Sequence, residues 1–167
     1  MANGNKLRIR EAKSIDAATL TEFNRLLARE TERLELDPST VASGVENLLR
    51  DSTRGFYLLA ETNDSVVGAL MVTFEWSDWR DANFWWIQSV YVRQDFRQRG
   101  VYRKLHEHVC DLARRSNSCG IRLYVEKENL VAQKTYANLG MTEARYKVFE
   151  TDLARPAKPF SSGLPQA

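Results

Sequence analysis

Apolar residues along this chain follow two periods, strict alternation and a three-to-four-residue repeat, and the switches between them mark the elements. Lys6–Arg10 alternates, with Leu7 and Ile9 on one face of a short strand. Ser14 and Asp16 are placed to cap a helix carrying Leu20, Phe23, Leu26 and Leu27 on one stripe. Asp37-Pro38 opens a second helix, with Pro at the first helical position and Val41, Val45, Leu48 and Leu49 as its apolar face. Gly55–Glu61 and Ser65–Trp76 read as strands joined by a tight turn at Asn63-Asp64, and Asn83–Val92 as a further strand. Val101–Arg115 returns to the helical period through Val101, Leu105, Val109 and Leu112. Ile121–Val125 alternates again. Asn129–Leu139 is a short helix ended by Gly140 as a left-handed C-cap, and Thr142–Thr151 is the last expected strand.

The resulting order, β-α-α-β-β-β-α-β-α-β, describes a mixed α/β domain: one central, largely antiparallel sheet with helices on both faces. The expected domain spans residues 7–153, between a flexible N-terminus and a disordered tail. From Arg155 that tail holds three of the four prolines and Ser161-Ser162-Gly163. A chain of 167 residues can bury a sizeable core. No stretch approaches the roughly 18 apolar residues of a membrane span, and the N-terminus has no apolar signal segment. A formal net charge of +2 argues against a nucleic-acid partner. Cys110 and Cys119 show no Cys-x-x-Cys spacing, which suits a reducing, cytoplasmic setting and not a disulfide framework. His106 and His108, two apart on a helix, point in different directions and make no metal site.

Charge matters locally. Between Arg93 and Lys104 there are five cations and one anion, Asp95, where a strand ends and a helix begins. A helix N-terminus is already positive and favours carboxylates by roughly 0.3–1 kcal/mol, so Arg97, Arg99, Arg103 and Lys104 have the wrong sign unless a polyanion binds there. Successive backbone N–H groups entering the helix form an anion cradle, and Gly100 lets the backbone approach a phosphate closely. The plain alternative is a solvated basic turn. Downstream, Asn129 suits an N-cap, and Ala132 and Tyr136 share about the same helix face. Taken alone, that is a capped helix with a core-packing tyrosine.

Together the two segments resemble the GNAT superfamily of acyl-CoA-dependent N-acyltransferases. Arg97-x-x-Gly100-x-Tyr102 is similar to the pyrophosphate loop of that family, with Tyr102 where a small residue is usual. Asn129-x-x-Ala132-x-x-x-Tyr136-x-x-x-Gly140 is similar to its second motif, with Met141 in place of Phe. The resemblance implies acetyl-CoA as cosubstrate, without a metal, in a V-shaped cleft where the strand ending at Val92 splays from Ile121–Val125. It implies that backbone at Val90, Tyr91 and Val92 holds the pantetheine arm as an added strand. Gln98, Arg99, Gly100, Val101, Tyr102 and Arg103, with Arg97, would cradle pyrophosphate, and Asn129, Ala132 and Tyr136 would complete the site. A primary amine of a small molecule or protein would attack directly in a ternary complex, and Tyr136 would protonate the leaving thiolate.

No carboxylate lies between Phe84 and Arg93 to serve as base. Gln88, mid-strand, can orient a water or the acceptor but cannot take the proton. Glu75, Asp78 and Glu30 are distant candidates. All four tryptophans fall between Phe74 and Trp86, a segment open to three readings: cross-strand packing, an aromatic wall for a cationic acceptor, or a homodimer contact. The alternative function on the same fold is a non-catalytic acyl-CoA sensor.

Overall fold

The computed structural model describes residues 6–63, 65–151 and 153. The chain divides into two units, one running to Asn129 and one starting at Leu130. The first unit carries a five-stranded sheet in the order β1-β2-β3-β4-β5: β1 Arg8–Glu11, β2 Gly55–Thr62, β3 Ser65–Ser77, β4 Ala82–Val92 and β5 Gly120–Leu123. The first three pairings are antiparallel and β4–β5 is parallel, as the crossover through a helix requires. Helices α1 (Ala17–Glu32) and α2 (Pro38–Arg50) cover one face, and α3 (Val101–Arg115) covers the other.

The two cores follow from alternation along the strands. Leu58, Leu70, Val72, Trp85 and Ile87 meet Val101, Leu105 and Val109 of α3. Tyr57, Leu59, Ala69 and Tyr91 meet Leu20 and Phe23 of α1 and Val45 and Leu48 of α2. Asp37 caps α2 as its position promised: its carboxylate accepts from the Thr40 N–H at 2.8 Å and from the Ser39 and Thr40 hydroxyls. Those bonds pull its pKa down to about 2.

Asp16 does not cap α1. Ser14–Asp16 forms a 3-10 turn ahead of the helix. The buried Asp16 carboxylate instead accepts two bonds from the Arg10 guanidinium, at 2.7 and 2.8 Å, and one from the Lys13 N–H. Arg10 also pairs with Glu61, so this cluster ties β1, β2 and the start of α1 together. The Arg10 bonds hold the Asp16 carboxyl below its ordinary 3.8. The pair therefore stabilises the fold fully above the unfolded-state value and loses its contribution as pH falls through the lowered folded one. Arg10→Ala is expected to cost about 1–3 kcal/mol at pH 7, because a buried carboxylate loses its donors. Urea unfolding at pH 7 and at pH 3 checks this, and the cost should shrink at the lower pH.

In the second unit, α4 (Leu130–Asn138) ends as expected: Gly140 has φ +84°, and the Met141 N–H closes back on the Tyr136 carbonyl at 3.1 Å in a Schellman arrangement. The expected strand at Thr142–Thr151 is a miss, since none of those residues is in a strand. Alternation describes half-burial on a ladder, but it supplies no partner edge. The tail from Arg155 and residues 1–5 lie outside the described residues, as does Asp64 of the β2–β3 turn, whose Asn63 has φ +45°.

Candidate acyl-CoA site

β4 carries the site. Its parallel ladder with β5 runs from Phe84 opposite Gly120 to Ile87 opposite Leu123 and stops there. On the other side β4 stays paired with β3 as far as Val92. From Gln88 onward, then, β4 keeps one partner strand among the described residues, and its β5-side edge is unpaired there.

A bulge lies within that edge. Leu70 of β3 opposes both Ser89 and Val90, and Ser89 takes φ +48°. The extra residue switches the alternation: Trp85 and Ile87 face α3, whereas Tyr91, at the same parity, faces α1. Nothing in the sequence flags Ser89, because a bulge with a non-glycine residue leaves no compositional mark.

The turn into α3 follows. Gln98 (φ +60°) and Gly100 (φ +78°) are left-handed, and a Cβ built on Gly100 would meet nothing within 4 Å. The first turn of a helix has N–H groups without intrahelical acceptors, and here the Lys104 N–H closes onto the Gly100 carbonyl at 3.1 Å. The helix start sits tightly on the sheet: a Cβ on Gly68 of β3 would come within 3.1 Å of both Val101 Cγ1 and the Tyr91 carbonyl. The turn leaves open space beside Gly100.

The cations of this turn divide into two groups. Arg93 pairs with Asp95 and reaches Ser65. Arg97 donates to the Val92 carbonyl at 2.8 Å and pairs with Glu30 of α1, stacking its guanidinium over Tyr91. Arg99, over the Phe96 ring, and Arg103 and Lys104 make no ion pair among the described residues. Sequence spacing missed the Arg97–Glu30 pair, whose members are 67 positions apart.

The other candidates are placed as follows. Gln88 donates its amide to Thr73 Oγ1 at 2.6 Å, leaving its carbonyl oxygen as an acceptor. Glu30 accepts from Arg97 and Tyr91, and with Gln94 these hold its carboxyl below the ordinary range against the opposing effect of burial. Glu75 pairs with Arg122 and accepts from the Trp86 indole. Asp78 turns to the Trp79 N–H at the hairpin tip. Each of the three carboxylates considered as base thus has a structural bond. Ala132 and Tyr136 lie one turn apart on α4, and burial pushes the Tyr136 phenol up from its ordinary value.

The aromatic segment divides in the same manner. Phe74 and Trp85 pair across β3–β4 and pack with Phe56 in the core. Trp86 stacks on Tyr124, with ring centroids 4.4 Å apart. Trp76 and Trp79 are exposed, Trp79 at 91%.

A cavity of about 420 Å³ opens between the α1–α2 pair and the sheet, within the range of small-ligand sites. Leu27, Val41, Tyr57, Met71 and Ser89 are among the residues that line it, so the bulge of β4 forms part of its wall. Sequence reading missed this cavity, since two helices, the link between them and three strands contribute to it.

Residues 20–141 match the model of the acetyltransferase (GNAT) family. A possible acetyltransferase from Clostridium difficile 630 is 43% identical, with a TM-score of 0.84 over 89% of this chain and 99% of that one. An aminoglycoside N-acetyltransferase solved in complex with CoA shares the fold at 17% identity, with a TM-score of 0.77 over 92% of this chain and 99% of that one. A predicted acetyltransferase from Clostridium acetobutylicum, solved with acetyl-CoA, does so at 15% identity and 0.73 over 87% and 96%. No curated protein matches the chain. The matched family model covers most of the sequence, and the 43%-identical structure is covered almost end to end: this chain belongs to the GNAT acetyltransferase family.

Proposed function

We propose that this protein moves the acetyl group of acetyl-CoA to a primary amine by direct attack in a ternary complex. The observation that carries the reading is the continuous backbone track from the free edge of β4, at Gln88–Val92, to the open left-handed turn at Gln98–Gly100 and the start of α3. These groups fit coenzyme A. A free strand edge can hold the pantetheine amides as an added strand through Val90, Tyr91 and Val92. The backbone from Gln98 to Arg103 offers N–H groups to pyrophosphate, and Arg99, Arg103 and Lys104 remain to offset its charge.

Tyr91 and Arg97 serve this site through their backbones and as a strap. The Tyr91 ring is buried against α1, and the Arg97 side chain fixes the turn to Glu30. Arg97→Ala and Glu30→Ala are each expected to raise the KM for acetyl-CoA about threefold, and the double variant no further, because both remove one coupled pair. Steady-state kinetics on the three variants checks this. A much larger effect of Arg97→Ala alone would assign its side chain to phosphate.

Tyr136 is the proton donor to the departing thiolate, its burial keeping the phenol protonated at neutral pH. Asn129 and Ala132 are assigned to cofactor binding by the family motif that they share with Tyr136. The Gln88 carbonyl oxygen orients the incoming amine, whose proton leaves to water, since Glu30, Glu75 and Asp78 each already hold a hydrogen bond. Neither cysteine lies on the β4 edge or the turn: Cys110 sits beside His106 within α3, and Cys119 packs on the Ala82 carbonyl. A covalent acyl-enzyme is not part of this scheme.

Acetyl-CoA binding by calorimetry, followed by amine-dependent release of free thiol with mass detection of the product, tests the reading. Absence of binding overturns it. Binding without turnover across a broad amine panel favours the acyl-CoA sensor.

A further inference from the structure

We infer that the acceptor is a small primary amine with a bulky apolar body and a single positive charge, seated in the cavity between the α1–α2 pair and the sheet. This rests on the acetyl-transfer reading above. Ser89 connects the two regions. It lines the cavity, and it is also the bulge residue just beyond the point where β4 leaves β5. An amine held in this cavity therefore meets β4 at the stretch that the pantetheine arm would follow.

The lining sets the chemistry. Leu27 of α1, Leu36, Val41 of α2 and Met71 of β3 supply apolar walls, which reward an apolar body by removing it from water. The polar groups inside are neutral and face each other: the Asn24 amide donates to the Tyr57 hydroxyl at 3.4 Å, and burial pushes the Tyr57 phenol up. Glu32 is the one carboxylate in the lining; it is exposed and has no ion pair among the described residues. A single exposed carboxylate can draw in one ammonium, which gives up its proton before the neutral amine attacks at β4. A polyamine or an aminoglycoside would bring several charges against apolar walls that offer only one carboxylate, and would gain little from those walls.

Gly44 makes the cavity testable. It lies on α2 in the lining, and a Cβ there would meet nothing within 4 Å, so a larger side chain can start from it without a backbone clash and is expected to occupy the cavity mouth. Leucine is also the better helix former. The experiment uses the full chain with acetyl-CoA and two sets of amines: phenethylamine, hexylamine and leucinamide against putrescine, spermidine and kanamycin.

The expected result is kcat/KM at least tenfold higher for the first set. Gly44→Leu should then lower kcat/KM for the first set at least tenfold, with the Kd for acetyl-CoA within twofold of wild type and Tm equal or higher. If Gly44→Leu folds poorly, Val41→Phe fills the same space from one turn earlier and should give the same loss. Preference for the polycations, no turnover of any apolar amine, or indifference of the apolar amines to both substitutions overturns the inference. In those cases acetyl-CoA binding and thiol release with another amine leave the acetyl-transfer reading standing. Absence of acetyl-CoA binding removes both.

Discussion

Tyr136→Phe is expected to lower kcat about 10²-fold while changing acetyl-CoA affinity less than about twofold, the pattern of a group acting in the transition state alone. The substitution keeps the ring and its packing and removes one oxygen. A coenzyme A thiol has a pKa near 8.5, and its thiolate is a poor leaving group unless something donates to the sulfur as the C–S bond breaks. A phenol, near 10 in water and higher when buried as here, is fully protonated at neutral pH. The measurement is kcat at saturating acetyl-CoA and amine, with Kd by calorimetry. A second readout separates proton donation from packing: an acyl donor with a more acidic thiol should restore most of the rate to the Phe variant and gain little with wild type. Wild-type kcat in the Phe variant would remove Tyr136 from the chemistry.

Gly100→Val is expected to raise the Kd for acetyl-CoA at least tenfold, about 1.4 kcal/mol, with kcat at saturation little changed. Two effects combine. At φ +78° a residue with a Cβ costs about 1–2 kcal/mol, and a β-branched one fits worst. The added atoms also enter the concavity where pyrophosphate would lie against backbone. Gly100→Asn separates the two, because asparagine tolerates the left-handed region yet still places a side chain in the cradle. Its Tm should stay near wild type while its Kd for acetyl-CoA still rises. An unchanged Kd in the Asn variant would move the phosphate site elsewhere.

Much of the frame was legible because local signals and tertiary packing agreed. The stripe Val101, Leu105, Val109 gave α3 its observed limits, Val101–Arg115, with Gly100 as the left-handed residue before it. Asp37-Pro38 opened α2 by the capping chemistry expected of it. Asp16 failed as a cap because a guanidinium on β1 competed for the same carboxylate, a contact that no local window contains. The last expected strand failed since alternation in Thr142–Thr151 could not supply an edge to pair with. At the site, the motif residues were readable, but their division of labour was not. That Arg97 is strapped to Glu30, that Ser89 bulges and that Gly44 borders a cavity all depend on partners far away in sequence.

The face switch in β4 has a consequence for how this protein can change. On the proposed reading, the coenzyme would be held by main-chain groups of one strand edge and one turn, which most substitutions leave in place. The cavity across the bulge is walled mainly by side chains from two helices of the opposite layer. If acceptor and coenzyme sit as proposed, mutations on α1 and α2 would retune which molecule is modified while the donor grip is inherited unaltered. One chain so arranged is a fixed handle with an exchangeable jaw.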